Sequence, residues 1–84
     1  MYEVVLSTSA RKELRDLADP LLSRIVNAMR VLATDPRPPG CRKLSGARDR
    51  WRVRVGDYRI VYAIDDSAKI VTVIRVRHRS AAYE

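Results

Sequence analysis

A period-two alternation of apolar and charged residues begins at Trp51 and restricts the fold more than any other feature of the sequence. Residues 51–55 place two arginines between three apolar side chains, and residues 58–64 continue the alternation after Gly56-Asp57. Successive side chains of a β-strand leave opposite faces of the sheet, and a glycine-containing pair suits a tight turn. The pattern therefore predicts a β-hairpin with one apolar face and one face that carries arginines.

Helical spacing dominates the first half of the chain. Residues 2–6 alternate like a short strand, and the hydroxyls of residues 7–9 suit the start of a helix. Asp19-Pro20 predicts the start of a second helix and Asp35-Pro36 its end. The apolar positions expected to face the core are Ala10, Leu14, Leu17 and Ala18 in the first helix and Leu22, Ile25, Met29 and Leu32 in the second.

The last third of the chain completes a sheet. Residues 65–68 predict a turn, and residues 69–77 are rich in β-branched side chains, as in the third strand of a meander. Residues 36–50 contain three prolines and two glycines and predict a loop too short to separate domains. We therefore expect a single α+β domain over residues 1–84. It consists of an N-terminal strand, a two-helix hairpin and a three-strand antiparallel meander that the helices cover on one face.

Composition excludes several classes of protein. The 84 residues fit one domain, and no apolar run approaches the roughly 20 residues that span a bilayer. The first residues do not resemble a signal peptide, so we expect a cytoplasmic protein without membrane contact. One Cys and one His exclude an internal disulfide and a zinc site made by this chain alone.

The positive charge is concentrated in arginine and in the second half of the chain. The formal net charge is +7, and 14 of the 17 basic residues are arginines. Residues 1–40 contribute +1 and residues 41–84 contribute +6. Because the planar guanidinium pairs bidentately with phosphate, the composition favours a nucleic acid or another polyanion as the ligand. A charged face that only keeps the protein in solution is the alternative.

Strand parity predicts where these arginines meet. If the helices cover the apolar face of the sheet, the opposite face holds a cluster contributed by three strands. Like charges at such spacing repel one another, and a phosphate bound between them relieves the repulsion. The arginines that share a parity within their strands are Arg52 and Arg54, then Arg59, then Arg75, Arg77 and Arg79.

Few catalytic chemistries fit the remaining residues. The single His and Cys41 complete no nucleophilic triad, and three glycines in all exclude a glycine-rich phosphate loop. Asp65-Asp66 lies in a turn away from the arginines, so we predict neither a metal site nor a cofactor. One reaction needs neither: the 2′-OH of RNA can attack its own phosphodiester. The protein then orients the sugar, stabilises charge on the phosphate and moves protons.

Two segments resemble the RelE/ParE superfamily of type II toxins. They are WRVRVGDYRIVY at residues 51–62 and RVRHRSAAY at residues 75–83. The predicted order of elements and the chain length agree with this resemblance. RelE-type members are ribosome-dependent mRNA endonucleases, so the resemblance implies a toxin that enters the ribosomal A site and cleaves the message there.

The resemblance also implies residue roles. Arg54 falls among the basic residues of the first meander strand, Arg59 matches the arginine that grips the scissile phosphate, and Arg77 matches one that stabilises the transition state or protonates the leaving oxygen. Tyr83 matches a C-terminal tyrosine that stacks near the nucleotide or helps to activate it. Expected RNA contacts are Arg52, Arg75 and Arg79 on the strands and Lys43, Arg48 and Arg50 in the loop.

One departure from the family concerns the general base. Well-studied RelE enzymes have lysines where this chain has Arg52 and Arg54, and an arginine is effectively never deprotonated. The candidates for proton transfer are therefore Tyr83 and His78, with an edge or structural role as the alternative for His78. We expect Trp51, Tyr58 and Tyr62 to be core residues, with base stacking as the lesser alternative, and Cys41 to be incidental.

Two other functions stay open. One is a ParE-like gyrase inhibitor, although such members generally lack the combination of Arg77 and Tyr83; the other is an RNA-binding module that does not cleave. Family membership implies a cognate antitoxin whose acidic or amphipathic segment covers the basic surface in a toxin–antitoxin hetero-oligomer.

Overall fold

The computed structural model describes residues 1–44 and 49–81. The elements are β1 (Glu3–Leu6), α1 (Thr8–Arg15), α2 (Leu21–Thr34), β2 (Arg42–Lys43), β3 (Arg50–Val55), β4 (Tyr58–Asp65), β5 (Ile70–His78) and a final 3-10 turn (Arg79–Ala81). The strands form one sheet in the order β1-β5-β4-β3-β2. β1 runs parallel to β5, and the other pairs are antiparallel. The predicted α+β fold, with its C-terminal meander, is confirmed.

Two details of the first half differ from the sequence prediction. The helix α1 ends at Arg15, so Leu17 and Ala18 lie beyond it; Leu17 still packs against the core, whereas Ala18 is exposed. The loop predicted at residues 36–50 contains the strand β2, whose two residues are too few to show the alternation that identifies a strand in sequence. The start of α2 agrees better with the predicted start at Asp19-Pro20. The carboxylate of Asp19 accepts hydrogen bonds from the N–H and the hydroxyl of Ser23, in the first turn, at 2.9 and 2.6 Å.

The hydrophobic core lies between the helices and one face of the sheet. Its fully buried side chains include Ile25 and Leu32 of α2 and Tyr62 of β4. The hydroxyl of Tyr62 donates a 2.8 Å hydrogen bond to the carbonyl of Pro36, which satisfies both buried groups. Among the described residues, no helix is both long enough and apolar enough to cross a membrane.

A β-bulge at Ile74 changes which side chains of β5 face the helices. Val73 and Arg75 oppose consecutive residues of β4, which leaves Ile74 without an opposite residue. Val73 before the bulge and Val76 after it are both buried. In a regular strand, residues three apart leave opposite faces, so the bulge has reversed which residues of β5 face the helices. In a regular strand of the same sequence, with Ile74 paired, Arg75 and Arg77 would lie on the same, helix-covered face as Val73. The bulge therefore places both arginines on the open face.

The helix α1 contacts β5 on both sides of this bulge. Ser7 caps the helix by accepting a 3.0 Å hydrogen bond from the N–H of Ala10, and its hydroxyl donates to the carbonyl of Ile74 at 2.7 Å. Further along the helix, Glu13 accepts a 2.8 Å hydrogen bond from the N–H of Val76. Since β1 pairs with β5 only as far as Val73, α1 takes over the edge of β5 where β1 ends.

Replacing Ser7 with Ala should lower the free energy of unfolding by about 1–2 kcal/mol, because the helix cap and the bond to the bulge are both lost. Urea unfolding followed by circular dichroism measures the change. Ser9→Ala is the matched control, since the Ser9 hydroxyl makes no hydrogen bond to any described residue. An equal loss in the two variants would contradict the role given to Ser7.

Tyr62→Phe should cost about 1–2 kcal/mol at neutral pH, because the carbonyl of Pro36 loses its partner. Burial raises the pKa of Tyr62 above its ordinary value of 10.0. As the pH rises past about 10, the unfolded wild-type chain ionises this phenol while the folded protein does not, so the wild type loses stability. Urea unfolding of both proteins between neutral pH and about pH 11 should show their difference shrinking; a constant difference would contradict this account.

Candidate functional site

Three arginines from neighbouring strands lie directly opposite one another. Arg54 of β3 opposes Arg59 of β4, and Arg59 opposes Arg77 of β5. Directly opposed side chains of an antiparallel pair leave the same face, with Cβ atoms about 4.5–5.5 Å apart. We refer to these three residues as the arginine row. The row lies on the face of the sheet that the helices do not cover.

A second line of side chains, with an arginine at each end, lies beside the arginine row on the same face. Arg52 and Arg75 oppose Val61 from its two sides. Val61 is only 3% exposed, although it does not belong to the core beneath the helices. The flanking arginines can cover it with their aliphatic stems while their guanidinium groups stay in water. By register, Arg50 and Arg42 also lie on this face.

The arginines of the open face repel one another. Partial burial lowers the pKa of Arg52, and the positive charges of Arg54, Arg59 and Arg42 lower it further. The groups stay protonated, so the face carries a net positive field that Glu13 offsets only in part. Such a field attracts an anion and is relieved when one binds.

Arg59, in the middle of the row, has an unsatisfied donor. Its Nε is buried and has no hydrogen-bond partner among the described residues. A buried donor without an acceptor costs about 1–3 kcal/mol, more for a charged group. A phosphate oxygen is a suitable acceptor, because guanidinium and phosphate form short, charge-assisted hydrogen bonds. The position of this donor is the strongest local sign of an anion site.

A groove of about 360 Å³ opens at the end of the row. The β3–β4 turn and the 3-10 turn form its walls, and the N–H of Arg79 donates a 2.7 Å hydrogen bond to the carbonyl of Asp57 between them. This volume falls in the range of about 300–1,000 Å³ that is common for small-ligand sites. The lining residues are Arg54, Gly56, Asp57, Tyr58, Arg59, Arg79 and Ser80.

Gly56 brings a further arginine to the rim of the groove. Its φ of +59° lies in the left-handed region, as expected of a glycine at the first position of a type II′ hairpin turn. A Cβ at this position would lie 3.5 Å from Nη1 of Arg24, which reaches the turn from α2. Nothing in the sequence indicated this contact of Arg24, because its position on the helix predicts only exposure to solvent.

Glu13 is a second site residue that sequence reasoning missed. Its Oε2 lies 3.2 Å from Nη1 of Arg75 and 3.6 Å from Nε of Arg77. Its other oxygen, Oε1, accepts the hydrogen bond from the N–H of Val76. Helical spacing places Glu13 away from the core, and nothing in the sequence links it to a strand that lies 62 residues later.

His78 is not brought to the arginine row. It opposes Tyr58, and the two rings meet edge to face with centroids 5.4 Å apart and an interplanar angle of 87°. Its Nδ1 accepts a hydrogen bond from the N–H of Ser80 at 3.2 Å, so the neutral ring carries its proton on Nε2. The ring lies on the face opposite Arg77, because the two residues are adjacent in β5.

The other contacts predicted from the sequence lie at the groove, on the helix-covered face, or outside the described residues. Arg79 lines the groove, whereas Lys43 opposes Trp51 on the other face, with its Nζ 6.0 Å from the centroid of the indole ring. Arg37 contacts the same ring, with its Cζ 5.0 Å from the centroid. Arg48 and Tyr83 lie outside the described residues.

The predicted acidic turn at residues 65–68 lies at the opposite end of β4 from the row. The carboxylate of Asp66 is 2.9 Å from Nη2 of Arg37 and accepts a 2.6 Å hydrogen bond from the hydroxyl of Tyr2. These two partners, Arg37 first, hold the pKa of Asp66 below its usual value. The acidic turn is therefore separate from the arginine row, and its Asp66 carboxylate is paired with Arg37.

Comparison with known proteins identifies a family. The model for the ParE toxin of type II toxin-antitoxin system, parDE, matches residues 4–83. Toxin RelG of Mycobacterium tuberculosis is 35% identical over 86 residues, which cover 98% of this chain and 95% of the relative. Toxin RelE of the same organism is 31% identical over 83 residues, which cover 98% of this chain and 86% of the relative.

Solved structures give the same result. A chain of the archaeal RelE-RelB complex from Pyrococcus horikoshii OT3 matches with a TM-score of 0.83 and 27% identity, covering 96% of this chain and 98% of that one. A chain of the intact Escherichia coli RelBE toxin-antitoxin complex matches with a TM-score of 0.82 and 26% identity, covering 93% and 96%. In sequence and in fold, this chain belongs to the RelE/ParE superfamily of toxins from type II toxin–antitoxin systems.

Proposed function

We propose that this toxin is a ribosome-dependent mRNA endonuclease whose arginine row binds and stabilises the scissile phosphate. The observation that carries the proposal is the register of Arg54, Arg59 and Arg77, with the Nε of Arg59, unsatisfied within residues 1–44 and 49–81, at the centre. The similarity to toxins named RelE and RelG supports the same branch of the superfamily.

The proposed reaction is a transesterification within the RNA. The 2′-oxygen of one nucleotide forms a bond to the adjacent phosphorus, and the bond from that phosphorus to the 5′-oxygen of the next nucleotide breaks. The products are a 2′,3′-cyclic phosphate and a free 5′-OH. The transition state gathers extra negative charge on the phosphoryl oxygens, and fixed guanidinium groups stabilise that charge more than they stabilise the ground state.

Two protons move in this reaction. The 2′-OH loses one and the leaving 5′-oxygen gains one; in this proposal Arg77 donates a hydrogen bond to the leaving oxygen, which takes its proton from solvent water. Arginine cannot accept the first proton. His78 packs against Tyr58 on the other face, which leaves Tyr83 as the acceptor in this proposal.

A gyrase inhibitor is the second candidate. The family model that matches residues 4–83 describes the ParE toxin, and that observation favours this candidate. The two functions differ in the target, RNA or a protein, and therefore in their dependence on the arginine row. Inhibition of DNA supercoiling by purified toxin, undiminished in Arg77→Ala, would identify the gyrase branch.

The proposed partners follow from the charge of the open face. Relatives have been solved as complexes with the antitoxin RelB. We propose that this chain also binds a cognate antitoxin, in a hetero-oligomer in which an acidic or amphipathic segment covers the arginine row. In the absence of that antitoxin, the toxin acts in the cytoplasm on messages bound to ribosomes.

Arg77→Ala should reduce cleavage of ribosome-bound message by about 10²–10³-fold, the usual effect of removing one donor to a developing charge. Primer extension on a message stalled with an open A site measures the rate. Arg15→Ala, in the last turn of α1, removes the same charge away from the row and should cleave like the wild type. Undiminished cleavage by folded Arg77→Ala would contradict the proposed role of the row.

Arg54→Ala should also change the salt dependence of RNA binding. Each phosphate contact to single-stranded RNA contributes about −0.7 to the slope of log K against log salt concentration, so the slope should become shallower by about 0.7. Fluorescence anisotropy with a short, 2′-O-methylated RNA measures binding without cleavage. Arg15→Ala should keep the wild-type slope; equal slopes for Arg54→Ala and wild type would place the RNA elsewhere.

A further inference from the structure

We propose that Glu13 is a positioning residue, whose carboxylate holds the guanidinium of Arg77 in the orientation that the scissile phosphate requires. The catalytic consequence of this inference rests on the proposed function, whereas the positioning itself does not. No part of the RNA needs to contact Glu13 for it to act in this way.

The carboxylate is itself fixed by the backbone. Its Oε1 accepts the N–H of Val76 at 2.8 Å, and that N–H belongs to the part of β5 that extends past the end of β1. The backbone of a paired strand cannot rotate this donor away. The position of Oε2 is therefore set by the sheet and by α1 rather than by the free rotation of the glutamate side chain, which is only 23% exposed.

Oε2 lies between two arginines of the open face. It forms a 3.2 Å hydrogen bond with Nη1 of Arg75 and lies 3.6 Å from Nε of Arg77. At 3.6 Å the second contact is an ion pair rather than a hydrogen bond, and its attraction draws the Nε side of the guanidinium toward Oε2. Because the guanidinium is a rigid planar fork, a preference at Nε also orients its other N–H donors.

The charge of Glu13 has a second effect on the same pair. Arg75 and Arg77 leave the same face two residues apart, and a carboxylate between them offsets their repulsion. Without it, the two side chains would be expected to spread apart. Because a displacement of about 1 Å at a reacting centre can cost about 10²-fold in rate, this restraint has catalytic consequences.

Two other roles for Glu13 make different predictions. A residue that only closes the edge of β5 would change stability, binding and rate together. A carboxylate that competes with RNA for the arginines would slow the wild type, so its removal would accelerate cleavage. A positioning residue predicts slower cleavage without weaker binding.

Glu13→Gln separates these roles, because the amide oxygen can still accept the N–H of Val76 while the ion pairs with Arg75 and Arg77 are lost. We expect kcat for ribosome-bound message to fall about 10- to 100-fold. Affinity for a 2′-O-methylated RNA should be equal or higher, because the net charge rises by one. Asp16→Asn, at the end of the same helix, makes the same charge change without contacting either arginine, and should keep the wild-type kcat.

A double-mutant cycle tests whether Glu13 acts through Arg77. In an Arg77→Ala background, Glu13→Gln should cause no further loss of kcat, since the group that it positions is absent. A full additional loss would show that Glu13 acts independently of Arg77 and would overturn the inference, as would wild-type or faster cleavage by Glu13→Gln alone.

A readout that needs no catalysis separates this inference from the proposed function. In ¹⁵N spectra of free toxin, the Nε–H of Arg77 should exchange slowly with water in the wild type and in Asp16→Asn, and faster in Glu13→Gln. If the wild type shows this protection but does not cleave RNA, the proposed function fails while the positioning stands. If exchange is the same in all three proteins, the positioning is wrong whatever the toxin cleaves.

Discussion

The site depends on a single extra residue in one strand. Ile74 has no opposite residue in β4, and the bulge that it forms turns the later side chains of β5 over by one position. Val73 and Val76 can then both enter the core, while Arg75 and Arg77 reach the open face. An unbroken strand would bury two guanidinium groups beneath the helices, at a cost that a domain of this size could not offset.

The two faces of the sheet have opposite effects on the stability of the fold. The helix-covered face supplies the buried apolar surface that stabilises the fold, and the open face gathers like charges that oppose it. Two signs of this conflict are the lowered pKa of Arg52 and the Nε of Arg59, which has no partner in the part of the chain that the structure describes. Glu13 relieves part of it from the helix layer, and a phosphate would relieve the rest. Stability and function are thus balanced within one sheet, as is common at binding sites.

The sequence predicted the hairpin and its two faces, because alternation over residues 51–64 determines which side chains share a side. It did not predict the bulge, since Ile74 lies in a run of β-branched residues that looks the same with or without an unpaired position. It also missed Glu13 and Arg24. Both reach the site through contacts between the two halves of the chain, and a helix residue that points away from the core carries no local signal of such a contact.

If RNA phosphate binds at the arginine row, as we propose, the Nε–H of Arg59 should respond to it first, because this donor lies at the centre of the row. Toxin labelled with ¹⁵N at arginine can be titrated with a short, 2′-O-methylated RNA that binds without being cleaved. We expect the Arg59 Nε–H resonance to shift downfield, and the proton to exchange more slowly with water, as Nε–H gains an acceptor. An unchanged Arg59 resonance, with shifts only around Arg37 at the acidic end of the sheet, would contradict the proposal.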